Sequence, residues 1–561
     1  MRLLTAVSLL LLLLILRIPV SGQPETATLG VVNNASYVAP GFPAGDVARG
    51  SLVAIFGTGL GPAQITPAPA YPLQKSLAGT SVQVRSGGVS YAAVPLYTSA
   101  TQVGAILPSV LPEGPAEIRV TYQGANSDLA PIQVAAARPG LFTIDQRGTG
   151  PLAAFLYEPN GRAAGWSNVH LSARPGDLVS IWATGLGPIT TPDNEIPPVG
   201  NLPVDVEVLV GGVPSPSVQY KGRSPGFAGI DQINFTVPEG VSGCYVPVTV
   251  LVDGVAGSYG TLSVYSQGND CADAHSYARQ EMAEVRGPLI FGSGNLELMR
   301  LHLFAPFLPS EGLVIDRIRG FFREQADQRF LYAWPPVPAA PPLGTCAMYH
   351  FKMNTELELL PVDFDRLRPM EAGLEMTVTG PGGTKTLPFV YRQGYQGFLW
   401  EYGNGDSQPY LAPGEYTLRN GSGSPDVGAF QASIRVREMI RWTNREQIQV
   451  VDRNQPLTVT WTGGDPEAEA AVIMGVGSRL EESQRVTFVC TADPAAGTFT
   501  IPAHVTASLP PAPAVATPQF PPGVLLVGTV SRPDQNRFTA AKVKFGFTYS
   551  LALTGSAVEI R

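Results

Sequence analysis

The sequence predicts an all-β fold of tandem β-sandwiches, and three observations carry the expectation. An eleven-residue phrase is written twice, "LVAIFGTGLGP" at 52–62 and "LVSIWATGLGP" at 178–188, identical at eight positions. The chain contains 61 Gly and 53 Pro but only 15% charged residues, which suits many short strands joined by turns and leaves little room for long helices. Short alternating apolar runs bounded by Gly-Gly or Glu-Gly turns recur along the chain, as in "VQVRSGGV" at 82–89. At 561 residues the chain exceeds what one hydrophobic core can serve, and about three to five domains are expected.

Residues 1–22, "MRLLTAVSLLLLLLILRIPVSG", place Arg2 before an apolar run from Leu3 to Leu16, then small residues Val20 and Gly22 at the spacing of a signal-peptidase site. That run of about 14 residues is short for a spanning helix, so an uncleaved anchor is the weaker alternative. The expectation is an export signal, with a soluble mature chain starting near Gln23. No Cys follows the run to take a lipid, and no later stretch is apolar for long enough to span a bilayer. The net charge of −8 is modest, and no basic run or basic-aromatic cluster is present to neutralise phosphates, which argues against nucleic acid as a partner.

The echo extends beyond the opening phrase. "VQVRSGGV" (82–89) is matched by "VEVLVGGV" (206–213), and both read as a strand entering a Gly-Gly hairpin turn. "TQVGAILP" (101–108) is matched by "DQINFTVP" (231–238), each followed by a Glu-Gly turn and another alternating strand. In "LVAIF" and "LVSIW" the apolar residues are continuous, as in a strand buried on both sides. Gly57, Gly59 and Gly61, with Gly185 and Gly187 in the second copy, supply positions able to take positive φ before a Pro ends the ladder. The phrase resembles a phosphate loop only superficially. It lacks the Lys of a P-loop and has no helical periodicity after it, so a structural turn is expected rather than a nucleotide site.

"VVNNASYVAPG" with "ARGSLVAIFGTGLGP", then "RPGLFTIDQRGTGPLAAFLYEPNG" leading to "RPGDLVSIWATGLGP", then "DQINFTVPEGVSGCYVPVTV", together resemble the Solibacter-type uncharacterised C-terminal domain family. Those are secreted proteins abundant in soil acidobacteria, with repeats similar to the IPT/TIG class of immunoglobulin-like folds. The resemblance covers about residues 29–266. It implies export and two immunoglobulin-like repeats, at 23–137 and 138–266, and transfers no catalytic residue. One departure is that Gly57 is matched by Ala183, so positive φ cannot be required at both unless the turns differ.

Residues 267–345 read as a mixed connector. "GNLELMRLHLF" alternates like a strand, while "VIDRIRGFFREQADQRF" sets Ile315, Ile318 and Phe322 near helical spacing and predicts a short helix. "WPPVPAAPPLG" (334–344) is a Pro-rich linker. Two further β-sandwich modules are expected at 346–440 and 441–561.

Four cysteines permit three pairings, and in an oxidising compartment an even number favours disulfides. The expected pairs are Cys244 with Cys271 and Cys346 with Cys490, the second acting as a staple between neighbouring modules.

Candidate chemistry is sparse. His170, His275, His302, His350 and His504 lie far apart, with no H-E-x-x-H, no i, i+4 pair, no G-x-S-x-G elbow and no D-x-D-x-D-G loop. No metal or cofactor is expected. "GNGDSQ" at 403–408 reads as a turn, and the sequons at Asn34, Asn234 and Asn420 carry little weight. Phe398, Trp400 and Tyr402 would share one face of a strand. They are a candidate sugar-stacking platform beside Glu401 and Asn404, or alternatively, and with more weight, core residues of the third sandwich.

The expected role is that of an exported, non-enzymatic structural or adhesive protein whose partner is an extracytoplasmic protein or a polysaccharide. The runner-up is a glycan-binding accessory protein. A third possibility is a hydrolase within 267–561, which would need paired carboxylates about 5 to 9.5 Å apart in a cleft.

Overall fold

The computed structural model describes residues 30–158, 160–265, 271, 291–325, 341–352, 368–392, 395–401, 409–479, 483–514, 521–532 and 536–561. The expected export signal, residues 334–340 of the Pro-rich stretch, Tyr402 and the 403–408 turn lie outside them. The fold is all-β, and the α-helix found among the described residues is the single turn Ala503–Thr506. By internal contacts the chain divides into two units, residues 1–241 with 247–264 and residues 242–246 with 265–561.

In the first unit the doubled phrase forms equivalent central strands. Leu52–Phe56 pairs antiparallel with Gly30–Asn33 and Gln102–Ile106, and Leu178–Thr184 pairs with Ala154–Tyr157 and Asp231–Thr236. Val53 lies opposite Ala105, and Val179 opposite Phe235, so the echoes of sequence are echoes of register. The continuous apolar run follows from two-sided burial. Val53 and Ile55 enter the core of the first repeat, while Leu52 joins a second cluster with Phe155 and Trp182.

The first repeat closes its sandwich with one long strand, Val89–Thr98. Its first half pairs with Thr80–Ser86 and its second with Gln102–Ile106, the register shifting between Pro95 and Tyr97. A bulge lets one strand serve both sheets. The second repeat is a six-stranded sheet plus a four-stranded one. The Gly-Gly pairs behave as two-residue hairpin turns, with φ of +58° and +82° at Gly87 and Gly88 and +61° and +81° at Gly211 and Gly212.

The second unit corrects the expected organisation. Residues 313–325 form a strand, not a helix, paired along its length with Phe291–Phe304. Ile318, Gly320 and Phe322 face a core with Leu296, Leu298 and Phe398, while Arg317, Arg319 and Arg323 take the other face. Helical spacing of three apolar residues was mimicked by a strand whose charged alternates are themselves buried. The stretch is thus no connector. It is central to a sheet of 14 strands that runs from Cys346–Lys352 to Gln431–Val436 and recruits strands from both sides of the expected boundary at 440/441.

Strands Glu375–Gly380, Gly414–Arg419 and Gln431–Val436 return over the 291–325 pair to complete a sandwich. Tyr416 corners it, its hydroxyl donating to the carbonyls of Ala412 and Tyr410 at 2.8 and 3.0 Å, the device known as a tyrosine corner in immunoglobulin folds.

Both expected disulfides form, Cys244–Cys271 and Cys346–Cys490. The second is not an inter-module staple. Cys346 and Cys490 are directly opposed on adjacent antiparallel strands of one sheet, with Cα atoms 4.0 Å apart.

Candidate functional site

The two copies of the doubled phrase end in turns with different jobs. In the first, Gly57 N–H donates to Thr101 and Leu60 N–H to Ala100, and Thr58 and Gly59 are exposed. Gly59 has φ of +67°, whereas Gly57 and Gly61 are not in the left-handed region. That corrects the expectation for those two and removes the apparent conflict with Ala183. Gly61 is needed for space instead, since a Cβ there would lie 2.2 Å from Thr98 Oγ1.

In the second copy the same turn is built into the junction between the repeats. Thr184 Oγ1 accepts from Leu52 N–H of the first repeat at 2.7 Å and donates to Gly229 O at 2.6 Å. Gly185 takes φ of +105° with a Cβ position only 2.2 Å from Arg138 O, and Gly187 takes +137°. Leu186 N–H donates to Asp231 Oδ2 at 2.8 Å. Asp231 is ion-paired with Arg223, and both are fully buried. Arg223 Nη2 also donates to Gly187 O at 2.8 Å and to Gly50 O of the first repeat at 2.9 Å. Burial pushes the Asp231 carboxyl up from its ordinary range, against the pull of Arg223 and the Leu186 and Gly185 N–H groups.

Two further clamps flank this pair. Asn33 Nδ2 donates to Arg138 O and Thr184 O, both at 3.2 Å, while its Oδ1 accepts from Ala35 N–H. Ser109 donates through N–H and hydroxyl to the Asp193 carboxylate at 2.7 and 2.6 Å, and its Oγ accepts from Ile189 N–H. Most of the polar groups buried here are thereby paired, as burial requires.

Beside the junction lies a cleft of about 200 Å³. One wall is the stretch from Pro67 to Tyr71, and the facing wall is Phe227, Ala228 and Ile230 of the second repeat. The Tyr71 hydroxyl accepts from Ala228 N–H at 2.9 Å, and burial pushes its pKa up. Leu73 and Asn194 exchange two hydrogen bonds, Leu73 N–H to Asn194 O at 2.7 Å and Asn194 Nδ2 to Leu73 O at 3.0 Å. Tyr97 forms the floor, its hydroxyl donating to Asn34 Oδ1 and accepting from Gln102 Nε2, each at 2.8 Å.

Of the two readings of the aromatic face, the core one, which carried more weight, holds for Phe398 and Trp400. Phe398 is 0% exposed and Trp400 8%, both in the core of the second unit. Phe398 packs edge-on against Phe322 and Phe389, and Trp400 against Tyr410. Phe398 and Trp400 share one face, and it points inward.

On the opposite sheet face Glu297 is paired with Arg317 and Arg319 and accepts from Tyr549 Oη at 3.0 Å. Burial opposes ionisation of Glu297, but Arg319 and Arg317 outweigh it and hold the carboxyl at about 2. With both flanking cations buried or nearly so, this cluster ties three strands together and opens onto no described cleft. Among the described residues no three His, Cys, Asp or Glu side chains are grouped to hold a metal ion, and no helix is long and apolar enough to cross a membrane.

Sequence reasoning missed Arg223, Asp231, Ser109 and Asp193. One signal was present. The second copy begins "DQINFTVP" where the first begins "TQVGAILP", so Asp231 replaces Thr101 in register with the inward-facing Ile233 and Phe235.

No protein-family model matches the chain, and no curated protein matches it. Among solved structures, domains 5–6 of the S-layer protein SbsC align at 12% identity, covering 43% of this chain and 98% of that one, with a TM-score of 0.14. The Bacteroides ovatus mixed-linkage glucan utilization locus protein SGBP-B, in complex with a heptasaccharide, aligns at 9% identity over 85% and 92% of the two chains, with a TM-score of 0.12. A tetra-tandem repeat from the extending region of a large adhesion protein aligns at 11% identity over 95% and 99%, also at 0.12. Similarity at these scores carries no argument about function.

Proposed function

We propose that the chain is an extracytoplasmic, non-enzymatic structural or adhesive protein in which the two repeats serve as one stiff module that presents loops to partners. The observation that carries this reading is the junction itself. Arg223, Asp231, Thr184, Asn33 and Ser109 are buried or half-buried polar groups committed to joining one repeat to the other. Breaking such a set costs several kcal/mol, of order ~3–5 for the ion pair alone. Neighbouring domains of one chain ordinarily move against each other unless their interface resists it. A module welded in this way transmits position and force, which a spacer needs and an isolated binding domain does not.

Two cysteine pairs, both bonded, fit an oxidising compartment. The resemblance of the motif order to the Solibacter-type family, whose members are secreted, fits the same placement. The glycan-binding reading loses its platform, because Phe398 and Trp400 are buried.

The test is retention of the purified chain, residues 23–561, on arrayed polysaccharides and envelope fractions, run beside a panel of glycoside and ester substrates. Retention on envelope material without turnover is expected. Turnover of any substrate, abolished by replacing a single carboxylate, would overturn the reading.

A further inference from the structure

We propose that the cleft between the Pro67–Tyr71 stretch and Phe227 is a docking site for a proline-containing extended segment of a partner polypeptide. One prolyl ring would seat against Tyr71 and Phe227, and the Tyr71 hydroxyl would donate to the carbonyl that precedes the proline. This goes beyond the structural role, since that role needs a stiff junction but no pocket beside it.

The lining determines the ligand's chemistry. It consists of Pro, Ala, Tyr, Leu, Gly, Phe and Ile, with no charged side chain, so the group it takes is neutral. A cleft of about 200 Å³ is smaller than the roughly 300–1,000 Å³ of drug-sized pockets and suits a single ring. The side-chain polar groups are two phenols, and the hydroxyl of Tyr97 is already engaged with Asn34 and Gln102. The Tyr71 hydroxyl accepts from Ala228 N–H and, protonated at neutral pH as any phenol is, has its own proton to give to a ligand. One donor suits one acceptor. A sugar ring would bring several hydroxyls, each costing about 1–3 kcal/mol if buried without a partner.

The wall also sets how a peptide would bind. Pro67 and Pro69 have no N–H, and Ala68 N–H is spent on Leu96 O at 2.8 Å. Pro67 and Pro69 leave this part of the wall without the donors an added β-strand needs, which favours recognition through ring faces. Proline-rich segments in the polyproline II form are read in this way, by aromatic-lined grooves, and their backbone is already extended before binding. The walls are pre-set: Tyr71 is tied to Ala228, Leu73 to Asn194 and Tyr97 to Asn34. Pre-set walls reduce the ordering cost of binding. Pro67, Pro69 and Ala70 are exposed along the rim, so a chain can run past the cleft while one residue enters it.

The experiment is ligand-detected saturation-transfer NMR on the full chain, with a capped peptide PPVPAAPP, the same peptide with alanine at every proline, and a soluble neutral β-glucan. The proline peptide alone should show transfer, concentrated on its ring protons. Ala70→Trp, a rim change that leaves the fold intact, should weaken binding about tenfold or more. Tyr71→Phe keeps the ring but removes the hydroxyl, and should weaken it about three- to tenfold, with thermal unfolding checked because Ala228 N–H also loses its acceptor. No transfer at millimolar peptide, transfer undiminished in both variants, equal transfer to the alanine peptide, or glucan transfer lost in the variants would each overturn the proposal. None of these outcomes touches the stiff-module reading, whose test is retention without turnover.

Discussion

Arg223 and Asp231 face each other on adjacent strands of the second repeat, yet the guanidinium reaches past its partner to the carbonyl of Gly50 in the first. One cation thus satisfies a carboxylate within its own repeat and a backbone acceptor in the next, and both side chains are at most 1% exposed. The ion pair of one repeat is thus joined directly to the backbone of the other.

Asp231→Ala should therefore be far more damaging than loss of a surface ion pair, because it strands a buried guanidinium. The expected loss is about 3–5 kcal/mol, read as a lowered denaturant midpoint of the transition that reports residues 30–264. Hydrogen exchange should rise in Leu52–Phe56 as well as in Leu178–Thr184. Protection lost only in the second repeat would mean that the pair does not couple the two.

The doubled phrase permits a paired comparison at matched positions. Gly59 and Gly185 both have positive φ, but around Gly59 the Cβ position is open, whereas at Gly185 it lies 2.2 Å from Arg138 O. Gly59→Ala should cost about 1–2 kcal/mol from backbone strain alone. Gly185→Ala adds overpacking to that strain, for a total of about 2–5 kcal/mol. Equal losses by denaturant unfolding would contradict the distinct roles of the two turns.

Much of the first unit was legible because its signals are local. Apolar continuity in Leu52–Phe56 and Leu178–Thr184 reported two-sided burial, and Gly87-Gly88 and Gly211-Gly212 reported hairpins. The second unit hid what depends on distant partners. Ile315, Ile318 and Phe322 have helix-like spacing, and only pairing with Phe291–Phe304 makes them a strand. Nothing local marks its arginines as paired, because their carboxylate, Glu297, lies on that other strand. Cys346 and Cys490 are 144 residues apart, so nothing nearby indicates that they sit opposite each other in one sheet. The junction between the repeats was invisible for the same reason: Leu52 N–H meets Thr184 across 132 residues.

Trp400 separates a core role from a binding role. Its ring packs on Tyr410 within a cluster that includes Phe398 and Leu298, with Lys385 Nζ 5.6 Å from its centroid. Trp400→Ala should cost about 3–5 kcal/mol and lower the unfolding transition of the second unit. Unchanged stability together with lost polysaccharide retention would restore the surface platform.

Acid should destabilise the second unit in two stages, and each stage belongs to a different strand. Burial pushes His350 down from 6.5 to about 4, so the folded state holds it neutral where the unfolded chain would take a proton. Its contribution is fully present above pH 6.5 and is lost as pH falls through about 4. Glu297 runs lower: opposed by burial but held by Arg319 and Arg317, its carboxyl sits at about 2 against 4.5 in the open chain. That contribution is present above pH 4.5 and is lost as pH falls towards 2. Each is worth on the order of 3 kcal/mol, so the unfolding midpoint should drop first between pH 6.5 and 4 and again below 4.5. His350→Phe should flatten the first stage and leave the second. Glu297→Gln should lower stability at neutral pH, because Arg317 and Arg319 lose their carboxylate, and should flatten the second stage. Hydrogen exchange in Cys346–Lys352 and Phe291–Phe304 would assign the stages to their strands. A midpoint constant from pH 7 to 4 would show that His350 is already protonated, or already solvated, in the folded chain.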